Sequence, residues 1–380
     1  MPKSQDIKIA LVHDFLTQYG GAERVLEVLA EMFPEAPIYT ILYDKEKMRG
    51  KFAKQEIHTS FFQKLPKFLR KRFKIFLPFL PIAPETFDLR EYDLVISSSG
   101  AWSKGIITRL NTIHIAYIHS PMRFVWDYNE KYLKEERKEK FGFLIRPIFN
   151  YFRLWDKLAA DRPDYLIANS KYTQARIRKY YRRESEVIYP PVDINRSSTS
   201  VKTEVELLWL PRKYFLIISR LSAYKKIDKA IEAFNKLELP LIIVGEGKER
   251  KRLEKIAGKT VKFLGYQPEE KLPQIYAGAR AFIFPGLDDF GIAPAEAMNY
   301  GVPVIALKKG GALEIVEENK TGEFFEATAP EVIADAVRRF MENEGKYERE
   351  YIRQVAGKFN KERFVAEVKD FILKITNNFQ

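Results

Sequence analysis

Short apolar runs rich in β-branched and aromatic residues alternate with helix-like segments along the whole chain, and this alternation limits the possible folds. In the first half, strands are predicted at Ile7–Val12, Leu94–Ser97, Ile113–Ile118 and Tyr165–Ala168. In the second half, they are predicted at Tyr214–Ser219, Leu241–Val244, Val261–Leu264, Ala281–Phe284 and Val304–Ala306. Strands separated by helices form parallel sheets. The pattern therefore predicts an α/β protein with doubly wound parallel sheets.

The chain length favours two domains, because 380 residues exceed the usual size of a single hydrophobic core. The stretch Tyr189–Ser200 contains a proline pair followed by a Ser/Thr cluster, which is typical of a linker. We therefore expect a first domain over residues 1–192 and a second over 193–358. The segment Tyr351–Ile375 is predicted to form two helices that are broken near Phe359-Asn360.

The composition limits the partners and the compartment. A formal net charge of +13 predicts an anionic partner such as a nucleotide, a lipid surface or a nucleic acid. The chain has no cysteine, which excludes disulfides, cysteine nucleophiles and thiolate metal sites. No signal peptide is evident, and no apolar run approaches the roughly 20 residues that span a bilayer. We expect a cytoplasmic protein, either free or bound at the inner face of the membrane.

The most informative motif places two carboxylates, Asp288 and Glu296, eight residues apart around the turn Phe290-Gly291-Ile292. This turn leads into an alanine-rich helix that is predicted to end at Gly301. A sugar nucleotide carries two hydroxyl-rich rings separated by a diphosphate. Carboxylates can accept hydrogen bonds from both rings, and the amides at a helix start can bind the phosphates. The plainer alternative is an acidic loop that caps a helix.

The spacing and its flanks resemble the E-x7-E motif of retaining glycosyltransferases of family four, the glycogen-synthase-like branch of the GT-B fold. The resemblance implies two Rossmann-like domains facing a central cleft, with a C-terminal helix over 359–380 joined to the first domain. Asp288 departs from the family pattern, which usually has Glu there, and Asp289 is an alternative for the same role. By this resemblance Asp288 would position the transferred sugar and Glu296 would hold the ribose. The turn residues bind the donor in the family, which here implies Phe290, Gly291 and Ile292.

A pair of cations follows the predicted strand Tyr214–Ser219. Arg220 and Lys225 are spaced as in the family's Arg-x4-Lys element, in which both side chains bind the donor diphosphate. Cleavage of a sugar–phosphate bond leaves negative charge on the departing diphosphate, and fixed cations stabilise that charge without a metal. The alternative for these residues is a solvated basic loop.

Several glycine-containing elements add to the resemblance. Gly20-Gly21, after the first strand, allows close approach of a phosphate or sugar to backbone amides, and family members carry a glycine pair there. Tyr266 lies in a loop similar to the one that receives the nucleotide base. Lys309–Glu314 resembles a Gly-Gly-x-x-Glu element near the cleft, with a helix-capping turn as the alternative. Gly245-Glu-Gly247 is interpreted as a tight strand-to-helix turn, because the rest of a dinucleotide fingerprint is missing.

His119 closes another predicted strand in a His-x-Pro pattern that resembles the family's active-site histidine, which contacts the transferred sugar. A lone histidine near a strand end is also common as a structural residue. The longer string Pro121–Asp127 is similar to that of bacterial and archaeal mannosyltransferases that build surface polysaccharides. This resemblance favours GDP-mannose as the donor and a lipid-linked or polysaccharide glycan as the acceptor. A UDP-sugar donor is the alternative.

These elements together predict a retaining hexosyltransferase that uses no cofactor and no metal, since the chain has no Asp-x-Asp motif. The acceptor hydroxyl would attack from the face from which the diphosphate leaves. A nucleic-acid-binding protein is an alternative of another class, but the basic residues are spread along the chain and no recognition module is present. We therefore expect no nucleic-acid partner. A nicotinamide dehydrogenase lacks its glycine fingerprint, and an inactive relative stays open because of Asp288.

The stretch His58–Glu85, called the basic segment below, interleaves cations with aromatic and leucine side chains and has no acid before Glu85. Its lysines and arginines are Lys64, Lys67, Arg70, Lys71, Arg72 and Lys74. A basic, aromatic-rich stretch can lie in the interface of an anionic lipid membrane. The alternative is a helix packed on the first domain with a hydrated basic face. We expect peripheral membrane contact through residues 58–85.

Overall fold

A computed structural model describes residues 7–71, 73–135, 142–192 and 213–377 of the chain. The chain divides into two compact units, the first formed by Met1–Tyr189 with Glu367–Gln380 and the second by Pro190–Ala366. Most of the predicted linker Tyr189–Ser200 lies outside the described residues. So does Arg72 of the basic segment.

The first unit is built on a parallel sheet whose described strands follow the order β3-β2-β1-β4-β5-β6-β7. The strands are β1 Ile9–Leu16, β2 Ile38–Tyr43, β3 Ile57–Thr59, β4 Leu94–Ser99, β5 Ile113–Ile118, β6 Tyr165–Ala168 and β7 Glu186–Val187. The strand order reverses between β1 and β4, where His13 lies opposite Ser98. Ligands of such sheets bind beyond the carboxyl ends of the strands at this reversal.

The helices of the first unit connect these strands. They are α1 Gly21–Met32, α2 Lys45–Met48, α3 Lys67–Lys71, α4 Ile82–Glu85, α5 Asn129–Glu135, α6 Gly142–Ala159 and α7 Lys171–Tyr181. Short 3-10 helices lie at Phe61–Lys64, Phe73–Phe79 and Ser103–Gly105. The basic segment is thus a chain of short helical pieces rather than one helix, because its prolines interrupt continuous helix formation.

The second unit repeats the same plan, with the described strands in the order β10-β9-β8-β11-β12-β13. The strands are β8 Tyr214–Ile218, β9 Leu241–Val244, β10 Val261–Gly265, β11 Ala279–Phe284, β12 Val304–Leu307 and β13 Gly322–Phe325. All of their described pairings are parallel. The order reverses between β8 and β11, so the loops that follow these two strands emerge side by side.

Helices cover this second sheet and continue into the C-terminal tail. They are α8 Ile227–Leu237, α9 Arg250–Ile256, α10 Leu272–Ala277, α11 Ile292–Asn299, α12 Ala312–Ile315, α13 Pro330–Glu342, α14 Arg349–Ala356 and α15 Lys361–Asn377. Short 3-10 helices lie at Ala223–Lys225, Glu269–Lys271, Glu344–Lys346 and Gly357–Phe359. The predicted break near Phe359-Asn360 is confirmed, because this last 3-10 turn separates α14 from α15.

Buried apolar residues hold each layer to the sheet. Every residue of β9 and β12 is buried, as expected for parallel strands covered on both faces. Phe215 of β8 lies 5.0 Å from the ring of Phe234 in α8 and 6.1 Å from that of Phe340 in α13. These contacts anchor the strand from which the cation loop emerges.

Each strand predicted from the sequence is present, and β1 extends further than expected. It runs to Leu16, so His13 lies inside the strand rather than after it. The pattern missed β2, β3, β7 and β13. Strands β3 and β7 have three and two residues, which is too short for an apolar period to be recognised. Among residues 7–71, 73–135, 142–192 and 213–377, every helix is too short or too polar to cross a lipid bilayer.

Candidate functional site

The loop after β8 carries Arg220 and is held from one side by the loop after β9. The amide of Ser219 donates to the carbonyl of Val244 (3.0 Å), and the amide of Leu221 donates to that of Glu246 (2.9 Å). A Cβ atom on Gly245 would lie 2.0 Å from the Ser219 carbonyl oxygen, and one on Gly247 would lie 2.1 Å from that of Leu221. The two glycines are therefore required by close backbone packing, which fixes the path of the Arg220 loop.

The loop after β11 approaches the same β8 loop from the other side. A Cβ atom on Gly286 would lie 2.9 Å from the Cα atom of Lys225 and 3.0 Å from its carbonyl oxygen. This contact places Lys225 beside Asp288, and the ammonium donates a hydrogen bond to the carboxylate. The two side chains are only 15% and 20% exposed, so solvent screens their attraction less than on an open surface.

The electrostatics of this pair keep Lys225 charged. Removal from solvent lowers the pKa of the Lys225 ammonium, but the charge of Asp288, the nearby Tyr224 and the hydrogen bond to Asp288 together outweigh this effect and raise the pKa above its usual value. The positive charge of the exposed Arg220 opposes the increase in the pKa of Lys225, which indicates that the two cations lie near each other. The structure thus brings together Arg220, Lys225 and Asp288, three residues singled out from the sequence.

The loop after β12 supports the carboxylate loop through two glycines. The amide of Gly311 donates to the carbonyl of Asp288 over 3.1 Å. A Cβ atom on Gly310 would lie 2.5 Å from the Asp288 carbonyl oxygen, and one on Gly311 would lie 2.1 Å from that of Phe290. Gly310 also adopts a φ of +67°, which favours glycine. The glycine pair therefore packs directly against the loop that carries Asp288.

The second carboxylate, Glu296, lies on α11 and is partly buried. The hydroxyl of Tyr276 donates to Glu296 Oε2 over 3.0 Å, and the Tyr276 ring stacks on that of Tyr300 at 5.0 Å. Gly291 precedes the helix with a φ of +101°, and Phe290 is buried with its ring 5.2 Å from that of Phe359. The turn Phe290-Gly291-Ile292 thus serves as a rigid entry to α11.

Tyr266 lies in the loop after β10 and is 49% exposed. The preceding Gly265 has a φ of +67°, and its carbonyl accepts a hydrogen bond of 2.7 Å from the amide of Gly245. The loop expected to receive a nucleotide base is therefore connected to the turn that holds the Arg220 loop.

Strand β1 of the first unit carries a buried carboxylate whose role was not predicted. One oxygen of Asp14 accepts from the amides of Gly100 and Ala101 at 2.9 and 2.6 Å. The other accepts from the amides of Trp102 and Ser103 at 2.9 and 2.6 Å. Four backbone donors on one carboxylate order the loop that follows β4.

His119 is connected to His13 through Ser98. The Ser98 hydroxyl lies 3.1 Å from Nδ1 of His13 and 2.8 Å from Nε2 of His119. The other ring nitrogen of His13 lies 3.5 Å from the carboxylate of Glu23 in α1. Removal from solvent and the nearby His13 lower the pKa of His119 to about 3, so this ring is neutral at physiological pH.

Gly20 and Gly21 lie at the start of α1, close to this chain of polar groups. Gly20 is the N-cap residue in an extended conformation, and a Cβ atom there would lie 3.3 Å from an oxygen of Glu23. Gly21 is exposed. The structure therefore places the glycine pair beside the Glu23–His13–Ser98–His119 series.

Trp126, which belongs to the mannosyltransferase-like string, has a structural contact. Its indole Nε1 donates to Oδ2 of the buried Asp156 over 2.8 Å. The same oxygen accepts from the Tyr181 hydroxyl over 2.9 Å, and Lys104 pairs with the other oxygen at 2.6 Å. This buried ion pair has hydrogen bonds to both carboxylate oxygens, so it stabilises the packing of α6 and α7.

Residues whose partners are distant in sequence were missed by sequence reasoning. Asp14 and Ser98 carry no motif; Asp14 contacts Gly100, 86 residues away, and Ser98 contacts His13, 85 residues away. Gly286 lies two residues before Asp288, but its role depends on the backbone of Lys225. In the described part of the chain, no group of three or more His, Asp or Glu side chains is placed to hold a metal ion.

Comparison with known proteins gives concordant matches. The sequence profile of "Glycosyltransferase Family 4" matches residues 19–196, and that of "Glycosyl transferases group 1" matches residues 203–358. The Alpha-1,3/1,6-mannosyltransferase alg2 of Schizosaccharomyces pombe is 24% identical over 376 residues, which cover 84% of this chain and 71% of that protein.

A second relative and a solved structure also match the chain. A GDP-mannose-dependent alpha-(1-6)-phosphatidylinositol monomannoside mannosyltransferase of Mycobacterium tuberculosis is 30% identical over 205 residues, covering 48% of this chain and 53% of that protein. The crystal structure of Anabaena Alr3699/HepE in complex with UDP-glucose matches with a TM-score of 0.73 at 22% identity, covering 97% of this chain and 100% of that chain.

The structural match defines the fold as GT-B, with two Rossmann-like units of the kind described above. The two profile matches cover successive parts of the sequence. The chain belongs to family four of the glycosyltransferases.

Proposed function

We propose that this protein is a retaining, metal-independent hexosyltransferase that moves mannose from GDP-mannose onto a lipid-linked or polysaccharide glycan. The observation that carries the proposal is the Lys225–Asp288 pair, with Arg220 nearby, at the strand reversal of the second unit. Open parallel sheets bind their ligands at such a reversal. Cations and a carboxylate at this point suit a ligand that combines a diphosphate with a hydroxyl-rich sugar.

In this proposal the second unit stabilises the leaving group. Arg220 and Lys225 bind the diphosphate and neutralise the charge that develops as the sugar–phosphate bond breaks. Lys225 suits this role because its raised pKa keeps it protonated through the physiological range. Asp288 positions the sugar, and Glu296, oriented by Tyr276, accepts hydrogen bonds from the ribose.

The first unit contributes neutral and backbone groups. His119 is uncharged at physiological pH, so it contacts the sugar without attracting the diphosphate away from Arg220 and Lys225. Gly20 and Gly21 provide backbone close to the donor. The acceptor hydroxyl attacks from the face that the diphosphate leaves, and the departing phosphate takes up its proton.

The donor assignment is supported by the relatives whose names specify mannosyl transfer, one of them GDP-mannose-dependent. A UDP-sugar is the second candidate, because a solved GT-B structure with 22% identity is a complex with UDP-glucose. The exposed Tyr266 lies in the loop that we propose contacts the base, so base preference is decided there.

We further propose that the protein contacts the inner face of the cytoplasmic membrane through the basic segment. Lys64 and Lys67 are exposed there beside Phe68, which is 66% exposed. Cations next to exposed aromatic side chains favour an anionic lipid interface. A lipid-linked acceptor would be presented at such a surface.

The test combines nucleotide binding with product detection. We expect calorimetry to give tighter binding of GDP than of UDP or ADP, and mannosyl transfer to be detected with GDP-mannose. Arg220→Ala and Glu296→Ala should each lower kcat/KM by about 100-fold, because each removes a contact to the donor. Arg338→Ala, an exposed arginine on α13, is the matched control and should leave activity unchanged.

Equal activity in wild type, Arg220→Ala and Glu296→Ala would refute the site assignment. Transfer from a UDP-sugar with none from GDP-mannose would favour the second candidate.

A further inference from the structure

Helix α6 carries large apolar side chains on its exposed face as well as on its buried face. The buried face contains Phe149, Phe152 and Ala159. The exposed apolar side chains, called the α6 stripe, are Phe143, Leu144, Ile148, Tyr151, Leu154 and Leu158. Leu144, Ile148, Tyr151 and Leu158 follow one another at intervals of four, three and seven residues, so they share one side of the helix. A surface helix normally exposes polar residues there.

The charges of α6 favour an anionic lipid surface over a protein core. Its exposed or partly exposed charges are the cations Arg146, Arg153 and Lys157, and its acid, Asp156, is buried against Lys104. Arg146 pairs with Glu130 and Lys157 with Asp161 at the surface, and such exposed pairs hold their cations weakly. Long basic side chains beside an apolar stripe can reach lipid headgroups while the stripe enters the acyl region.

The helix packs on the same core as the basic segment. Phe62 and Leu80 of the basic segment share one cluster with Phe149 and Phe152 of α6. Arg162, just after α6, pairs with Glu85 at the end of the basic segment over 2.6 Å. The helix that carries the α6 stripe thus packs on the same core as a segment rich in cations.

From these contacts we infer that the α6 stripe inserts into the surface of an anionic lipid bilayer and is the main apolar anchor of the protein. The inference rests on the proposed function in one respect only, namely that the partner is an anionic lipid surface. It assigns the insertion to a different element, and its test uses no nucleotide and no acceptor.

The first experiment measures binding to phosphatidylglycerol/phosphatidylcholine vesicles by flotation. The double variant Leu154→Ser/Leu158→Ser should lower the partition coefficient by about tenfold or more, because two large apolar side chains no longer enter the bilayer. Leu373→Ser in α15 is the matched control, since Leu373 is 57% exposed and Leu158 64%. The control should bind like wild type, and circular dichroism should show all variants folded.

A second variant set separates the α6 stripe from the basic segment. Lys64→Gln/Lys67→Gln should weaken binding mainly at low salt, whereas the serine double variant should weaken it at all salt concentrations. If only the lysine variant loses binding, the α6 inference is wrong and the contact through the basic segment stands. The wild type could instead fail to bind vesicles and sediment as a dimer, while the serine double variant sediments as a monomer. In that case the stripe pairs with a second copy of the chain, and the inference is also wrong.

The absence of cysteine allows a direct measurement of insertion. Leu158→Cys, labelled with an environment-sensitive dye, should show a blue-shifted emission when vesicles are added. Leu373→Cys with the same dye should not. Equal emission changes at both positions would overturn the inference, because they would exclude preferential insertion of the α6 stripe.

Discussion

Lys225 keeps its positive charge in a partly buried setting because Asp288 lies beside it. Replacing Lys225 with Met keeps much of the side-chain length and removes the charge. We expect kcat/KM to fall by about 100-fold or more, since the leaving diphosphate loses a fixed cation. Lys229→Met, which breaks an exposed pair with Glu232 on α8, should leave kcat/KM unchanged. Similar kinetics for the two variants would contradict the role of Lys225.

Ser98 connects two histidines and has a structural counterpart next to it in the same strand. Ser98 contacts His119, and Ser97 makes an equivalent buried contact of 2.8 Å with His114. Ser98→Ala and Ser97→Ala should each lower the free energy of unfolding by about 1 kcal/mol through the lost hydrogen bond.

Only Ser98→Ala should also lower kcat, by about tenfold, because it releases the His119 ring, which we propose positions the sugar. Equal kcat values for the two variants, measured beside urea unfolding, would show that the Ser98 contact is structural only.

At the scale of elements, the loops after β8, β11 and β12 are held together by close contacts at glycines as well as by the Lys225–Asp288 pair. Gly286→Ala would place a methyl group about 3 Å from backbone atoms of Lys225, and neither backbone can move without shifting a loop. We expect a loss of about 1–3 kcal/mol in the free energy of unfolding and a fall in kcat, although Lys225 and Asp288 are both intact.

Gly345 offers the matched control, because a Cβ atom there would meet nothing within 4 Å. Gly345→Ala should change neither quantity. Wild-type activity and stability in Gly286→Ala would show that the packing of these loops is looser than described.

The element scale also explains which strands the sequence pattern identified. Strands β4, β5, β9 and β12 have runs of buried apolar residues and were recognised from them. Strands β3 and β7 have only three and two residues and pair at the ends of the sheet, so their position depends on a neighbour rather than on their own composition.

At the scale of the whole molecule, a buried histidine makes stability depend on pH. Burial, aided by the charges of Arg183 and Arg162, lowers the pKa of His114 from 6.5 to about 3. In the unfolded chain this ring takes up a proton below its ordinary pKa, whereas in the folded chain it stays neutral. The unfolded state therefore binds more protons between these values, and stability falls as the pH decreases through that range.

Each such group contributes a slope of about 1.4 kcal/mol per pH unit below its unfolded pKa. His114→Gln retains a side chain able to bond to Ser97 but does not titrate. We expect urea unfolding of this variant between about pH 6 and pH 4.5 to show a slope reduced by about that amount. Equal slopes in variant and wild type would show that His114 is protonated in the folded protein.

Only part of the candidate site could be predicted from the sequence. The spacing of Asp288 and Glu296 is local, so it could be read from one segment of the chain. The pairing of Lys225 with Asp288 spans 63 residues, and the contact of Ser98 with His13 spans 85. Such pairings depend on which strands are neighbours in the sheet, and a single sequence does not encode that order in any short pattern.

The glycine contacts among the three loops of the second unit have a practical consequence for changing the specificity of this protein. Gly286 packs against the backbone of Lys225, and Gly310 and Gly311 pack against the backbone of Asp288 and Phe290. The three loops therefore form one packed unit. A graft from a relative would succeed only if all three were transplanted together. The segment bearing Tyr266 is bonded to the Gly245 turn through the Gly265 carbonyl, so exchanging this segment together with that turn would test the proposed contact with the base.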